Sequence, residues 1–282
     1  MSTAFPRTTV GGVSLSSMVI GTNWILGYSH TGPAADRLIL RRHEQPEPIA
    51  DLLEVFLRAG VDTIMGVFTG RPHVQAAMKM AEDRVGRKLI VIDTPILNMD
   101  DSPAARREAE AKIAETRRIG ATFCFPHHSS AEQLVNKNRG TMDRLPDYLK
   151  MIRDQGMIPG LSAHMPELIL YSDRNGYDVE TYIQIFNCAG FLMQVEVEYI
   201  HKVIWNAKKP VMTIKPMAAG RVTPFVGLTF SWNAIRPADL VTVGCLTPEE
   251  AAEDIEISLA AFERRPPRLE GRGSPNKTAI LQ

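Results

Sequence analysis

The chain has 282 residues, 44% of them hydrophobic, and its thirty-two Lys and Arg balance thirty-two Asp and Glu to a formal net charge of zero. That length suits one large core, and the absence of a net field leaves no global attraction for nucleic acid or an anionic membrane; the expected partners are a small-molecule substrate and, as a possible homo-oligomer, other copies of the chain. Cys124, Cys188 and Cys245 are odd in number and each sits in an apolar run, which fits reduced thiols rather than a disulfide frame. No apolar run approaches the ~20 residues that span a bilayer, and the first nine residues lack the basic-then-apolar order of a signal peptide, so a cytoplasmic setting is expected.

Residues 13–20 read as the first strand, followed through Gly21-Thr22-Asn23-Trp24 by a long polar stretch, 30–47, with the look of a lid. A helix starting at Pro48 keeps Ile49, Leu52, Leu53 and Phe56 on one face up to Gly60, and residues 61–65 form strand two. The spacing predicts a helix over 72–85, strand three over 88–92 ending at Asp93-Thr94-Pro95, and a helix opened by the cap Ser102 and Pro103 and closed by Gly120. Strand four is 121–125, followed by Pro126-His127-His128; after a polar loop at 136–140, the helix at 146–155 ends at Gly156 and strand five covers 157–161, ending in Ser162-Ala163-His164.

A further helix is expected over 178–189, strand six over 191–195, strand seven over 211–214 and strand eight over 240–243. Thr247-Pro248-Glu249-Glu250 has the order of a capping box at the start of the last helix. Eight alternations of strand and helix predict an α/β fold, a (β/α)8 TIM barrel formed by residues 1–264, with a tail rich in Pro, Arg and Gly at 265–282 that has little apolar surface to bury. In such a barrel the carboxyl ends of the strands share one mouth, so polar residues at those ends meet there.

The ends of strands five to eight resemble an aldo-keto reductase barrel. Gly160-Leu-Ser-Ala-His164, Gln194-Val-Glu196, Lys215-Pro-Met-Ala-Ala-Gly220-Arg221 and Val243-Gly244 with Thr247-Pro248-Glu249 are similar to that family's segments in the same order. Val10-Gly-Gly-Val-Ser14 followed by Gly21-Thr22 resembles its opening hairpin. The resemblance implies NADP or NAD as cofactor, held by Ser162, Gln194, Gly220 and Gly244, and hydride transfer completed by a tyrosine acid tuned by a lysine and an aspartate, with a histidine orienting the carbonyl. The chain departs from this pattern: Met65 stands in the aspartate's place, Gly70 in the tyrosine's and Pro95 in the lysine's, and only the histidine is kept, at His127 or His128. The segment from Gly244 to Glu250 also offers no Lys or Arg for a 2′-phosphate.

The residues themselves point to acid-base chemistry. His127, His128, His164, Lys215 and Asp93 are the candidate catalytic set, and Asn23, Trp24, Gln194 and Arg221 the candidate substrate contacts, with Tyr28 beside them. His127, His164 and Glu196 make an imidazole-imidazole-carboxylate set that suits a divalent metal, Zn or Mn. His127 and His128 are adjacent, so their side chains are expected to diverge and only one to face the mouth. Each residue also has a plainer role open to it: loop hydrogen bonds for the histidines, a cap for Asp93, and an ion pair with Glu196 or Asp93 for Lys215. Three functions follow: metal-assisted isomerase, lyase or hydrolase chemistry on a small polar carbonyl or sugar-like substrate; nicotinamide-dependent reduction with a substituted proton donor; or a barrel that binds a ligand without turnover.

Overall fold

The computed structural model describes residues 5–269. Two short strands, β1 (Arg7–Val10) and β2 (Val13–Ser16), form an antiparallel hairpin turned by Gly11 and Gly12, and β3 (Met18–Gly21) follows. The single first strand expected over 13–20 is therefore divided at Ser17. Beyond β3 the stretch expected to be a polar lid is largely helical, with α1 (Asn23–Leu26), α2 (Pro33–Arg42) and α3 (Pro46–Arg58).

The barrel continues with β4 (Thr63–Gly66), α4 (Pro72–Val85), β5 (Ile90–Asp93), α5 (Pro103–Arg118) and β6 (Phe123–Cys124). Next come the one-turn α6 (His128–Ala131), a small hairpin of β7 (Val135–Asn136) and β8 (Thr141–Met142), and α7 (Leu145–Asp154). The fifth barrel strand is a pair of short pieces, β9 (Ile158–Pro159) and β10 (Leu161–Ser162), on either side of Gly160. A Cβ at Gly160 would collide with the Phe125 ring, so the close approach of that aromatic requires glycine there.

The second half comprises α8 (Glu167–Asn175), β11 (Tyr182–Ile185), α9 (Val197–Asn206), β12 (Val211–Ile214), α10 (Pro224–Ala234), β13 (Leu240–Val243) and α11 (Pro248–Glu263). Parallel pairing runs β10, β11, β12, β13, β3, β4, β5, β6, β9. Because β9 and β10 are halves of one run, the nine pieces occupy eight positions and the ring closes, giving the expected α/β barrel.

Strand six is the main correction. Residues 178–189, expected to be a helix, contain β11, while residues 191–195 form no strand. After β11 the buried Asn187 turns the chain: its Oδ1 accepts from the backbone N–H groups of Ala189 and Phe191, and its Nδ2 donates to the Phe191 carbonyl. Leu192 then takes a left-handed φ of 56°, and Gln194 and Glu196 emerge into solvent.

Two apolar layers hold the barrel. Val19, Met65, Ile92, Phe123, Phe125, Ile183, Met212 and Leu240 fill the interior, joined from below by Val10 and Leu15 of the hairpin. The larger layer, including Ile20, Phe56, Ile113, Tyr182, Val211 and Val243, lies between strands and helices. Burying each such Leu, Ile or Phe is worth roughly 1.5–3 kcal/mol. The caps act as their chemistry requires: Ser102 Oγ accepts from Ala105 N and Thr247 Oγ1 from Glu250 N, while the Glu250 carboxylate accepts from Leu246 N rather than from the capping residue itself. The first residues of the expected tail fold back, with Arg265 paired to Glu256; its remainder, 270–282, lies outside the described residues. All three cysteines are free thiols, and among the described residues no helix is long and apolar enough to cross a membrane.

Candidate functional site

A cavity of about 720 Å³ opens at the carboxyl ends of the strands. Asn23, Trp24, His127, His128, Ser162, His164, Lys215, Gly220 and Gly244, all singled out from sequence, line it. Tyr28, Met65 and Met217 also line it, as do Glu250, Glu253 and Asp254 at the far end.

Strand alternation explains who is inside. Ile92 points into the barrel, so its neighbour Asp93 points out, where it is fully buried; one carboxylate oxygen accepts from Thr116 Oγ1 on α5 at 2.6 Å and the other from Phe68 N at 2.8 Å. Burial pushes its pKa up against those hydrogen bonds. Asp93 is thus a tie between β5, α5 and the loop after β4, and it does not line the cavity. By the same alternation Ser162 and Thr242 face inward, and Thr242 Oγ1 is buried without a hydrogen-bond partner. Gln194 and Glu196 do not line the cavity, because the strand they were assigned to is a solvent-exposed turn; Glu196 instead starts α9. Arg221 is exposed, its guanidinium 4.1 Å from the centre of the Phe191 ring.

His127 and His128 do not diverge. The strand-to-helix turn after β6 makes His127 the cap of α6, with Nδ1 accepting from Ser129 N, and this brings the two rings to the same side at 4.2 Å between centres. His128 in turn stacks on His164 at 3.8 Å and 21°. Burial and then the neighbouring His128 lower the pKa of His127 to about 4; burial, His128 and Lys215 lower that of His164 to about 3. Both rings are neutral at pH 7.

Behind the stack stands Glu132, which sequence reasoning missed. Its Oε1 accepts from the backbone N–H groups of His164 and Met165, at 2.6 and 3.2 Å, and its Oε2 lies 3.9 Å from His128 Nδ1. Burial raises its pKa, but the His128 and His164 contacts outweigh this, and the net shift is downward. One ligand atom from each of His128, Glu132 and His164 can be chosen so that all lie within 4.8 Å of one another. The imidazole-imidazole-carboxylate set read from sequence therefore exists with two members changed. The i, i+4 spacing of His128 and Glu132 was the available signal.

Lys215 ends β12 in a left-handed conformation, φ 62°, and Ala218 and Ala219 follow at 49° and 54°. Such residues cost about 1–3 kcal/mol each and persist only where the surroundings enforce them. Gly227 supplies part of that enforcement: a Cβ on it would lie 2.6 Å from the Pro216 carbonyl oxygen, so α10 rests directly on the loop. Neither ion pair considered for Lys215 forms. Its Nζ lies 2.8 Å from His30 Nε2, and burial lowers its pKa to about 8. Asn23 Nδ2 reaches the same Nε2 at 3.3 Å; with donors on both sides Nε2 is the acceptor and the ring proton sits on Nδ1. His30, 185 positions away in the chain, carried no pattern that could have announced this contact. Tyr28, placed beside the candidate substrate contacts, brings a phenol to the mouth, its hydroxyl accepting from Arg71 Nη2 at 3.0 Å.

No protein-family model matches the sequence, and no curated protein matches it. Among solved structures the chain is similar to a Pseudomonas aeruginosa protein assigned as an aldo-keto reductase, at 15% identity and TM-score 0.63, covering 93% of this chain and 98% of that one. It is similar to an aldo-keto reductase of the silkworm Bombyx mori at 14% identity and TM-score 0.57, over 98% and 86% of the two chains. A Klebsiella pneumoniae aldo-keto reductase in complex with NADPH matches at 14% identity and TM-score 0.59, over 96% and 99%. The fold is that of an aldo-keto reductase-like barrel; at this identity the likeness concerns fold alone.

Proposed function

We propose that this protein is a barrel enzyme that transfers protons on a small polar carbonyl or sugar-like substrate held at the mouth. His127 serves as the base, Lys215 engages the carbonyl, and Asn23, Trp24 and Tyr28 contact the remainder of the substrate. The observation that carries this reading is the set of neutral imidazoles around a desolvated lysine in one cavity. A base is effective when it is unprotonated at the working pH and within reach of the proton it removes. The product is an isomer, or cleavage fragments, according to which bond breaks after the proton leaves.

The donor chemistry of His128, Glu132 and His164 fits a divalent ion, zinc or manganese, with Glu132 held in place by two backbone N–H groups. Such an ion would polarise a substrate oxygen or lower the pKa of a bound water. Proton NMR in D2O with a panel of hydroxyaldehydes and hydroxyketones tests the reaction: enzyme-dependent exchange of the proton α to the carbonyl is expected, and no exchange with any member refutes it. Elemental analysis of untagged protein with and without chelator tests the ion separately. Metal-free protein of undiminished activity removes the ion from the reading.

A second reading is favoured by the length of the cavity, which continues from Lys215 past Gly220 and Thr223 to Gly244 and Glu250. That trough suits a nicotinamide dinucleotide, NAD or NADP, and the Klebsiella neighbour is described with NADPH. The acidic far end would disfavour a 2′-phosphate. Fluorescence titration is expected to give tighter binding of NADH than NADPH under this reading, and silence to millimolar concentrations discards it.

A further inference from the structure

We propose that Lys215 is a covalent site: its amine condenses with the aldehyde or ketone of the substrate to form an imine. The inference rests on the reading of the mouth as a carbonyl site, and it does not need the metal.

Four observations converge on it. Lys215 lines the cavity, with its Nζ 2.8 Å from His30 Nε2. Among the described residues no carboxylate lies within ion-pairing distance of it, and burial lowers its proton affinity. The charged or titratable groups around it are His30 from the loop after β3, His127 from the turn after β6 and His164 from the end of β10, and none carries negative charge. Finally, the left-handed run at 215, 218 and 219 fixes where the side chain starts. A structural lysine would have its ammonium matched by an acid, and an anion anchor would present several donors; a single desolvated amine facing an unprotonated imidazole nitrogen is the arrangement of a nucleophile.

The step balances without any redox partner. The Nζ lone pair attacks the carbonyl carbon, the C–N bond forms, and the former carbonyl oxygen is protonated to give a carbinolamine. One amine proton passes to His30 Nε2. The C–O bond then breaks and water departs, carrying the oxygen and, in net count, both amine hydrogens, while nitrogen and carbon share the new double bond. With both amine hydrogens gone into the water, His30 is neutral again, and a proton from solvent on the imine nitrogen makes the iminium that acidifies the adjacent C–H for removal by His127.

The test uses the whole wild-type chain, glycolaldehyde as probe and cyanoborohydride to reduce any iminium to a stable secondary amine, followed by peptide mapping at pH 7.5. With its pKa at about 8, Lys215 should be modified on the order of ten- to a hundredfold faster than exposed lysines such as Lys79 and Lys150. Chelator-treated protein should be modified equally fast. Modification of Lys215 no faster than of Lys79 overturns the proposal, and this arm needs no variant to fold. Lys215→Arg, with unchanged melting temperature, should lose both the modification and the α-proton exchange. The two proposals fail differently: exchange with an unmodified Lys215 removes the imine and leaves the carbonyl reading, whereas fast selective modification without exchange keeps the imine and removes the proton-transfer reading.

Discussion

The two ends of the barrel treat charge in opposite ways. At the floor, charges are matched: Arg7 donates to both carboxylate oxygens of Asp62, Arg153 and Lys209 converge on Glu180, and the fully buried Asp239 binds Arg236 while accepting from Val211 N at the start of β12. The Arg236 guanidinium also reaches the carbonyl oxygens of Ala207 and Lys209. At the mouth the ammonium of Lys215 meets imidazole instead of carboxylate, three rings stand in a row, and the backbone is strained. The floor is organised for stability, and the mouth holds an amine in unfavourable burial, as the proposed nucleophile requires.

Variants can break that contrast. The largest effect is expected from Asp239→Ala, which strands a largely buried guanidinium and two backbone N–H donors, those of Val211 and Arg236: a loss of roughly 3–5 kcal/mol in urea unfolding, with whatever activity survives at low temperature unchanged in KM. A loss under 1 kcal/mol would show that the floor is not organised as described. Lys215→Met should do the opposite, lowering activity at least ~100-fold while raising stability by about 1–2 kcal/mol at pH 7. The sign follows from linkage: burial lowers the folded pKa of Lys215 to about 8, so its ammonium opposes folding below that pH, and the gain from Lys215→Met should fade as pH rises from 8 past the unfolded value near 10.5.

The histidines give a smaller, pH-gated effect. His43 is 2% exposed with its pKa lowered to about 4 by burial and Arg42, and His127 and His164 are shifted in the same direction. An unfolded imidazole takes up its proton near pH 6.5 and the folded one does not, so stability should be full above about pH 7 and fall as pH drops toward 4. For His43 alone the loss by pH 5 is about 2 kcal/mol, and His43→Phe should flatten that part of the urea-midpoint profile. The smallest effect is expected at Gln194→Ala and Glu196→Gln, which should leave turnover within twofold; a larger fall would return strand six's mistaken polar pair to the site.

Much of the barrel was legible because it is punctuated. The spans of β12, β13 and α4 match their expectation, since β-branched runs stand between Pro, Gly and capping residues. Strand six was misread for a physical reason: Val179, Ile183 and Phe186 carry helical spacing as well as belonging to a strand region buried on both faces, and a short apolar run does not separate the two. The apolar run Phe191-Leu-Met that imitated a strand is bent away by Asn187 and by the left-handed Leu192. In the site, residues at strand ends were found by position, whereas Glu132 stands on a helical turn, signalled only by its i, i+4 spacing from His128, and His30 on a loop became visible only in three dimensions.

The hairpin under the barrel has a consequence for kinetics. With Val10 and Leu15 corking the lower opening, the vessel is single-ended, so anything that enters must leave by the route it came. If two fragments form, the outer one has to depart before the inner one. The fragment left at the bottom, still facing Lys215, would then inhibit competitively against fresh substrate.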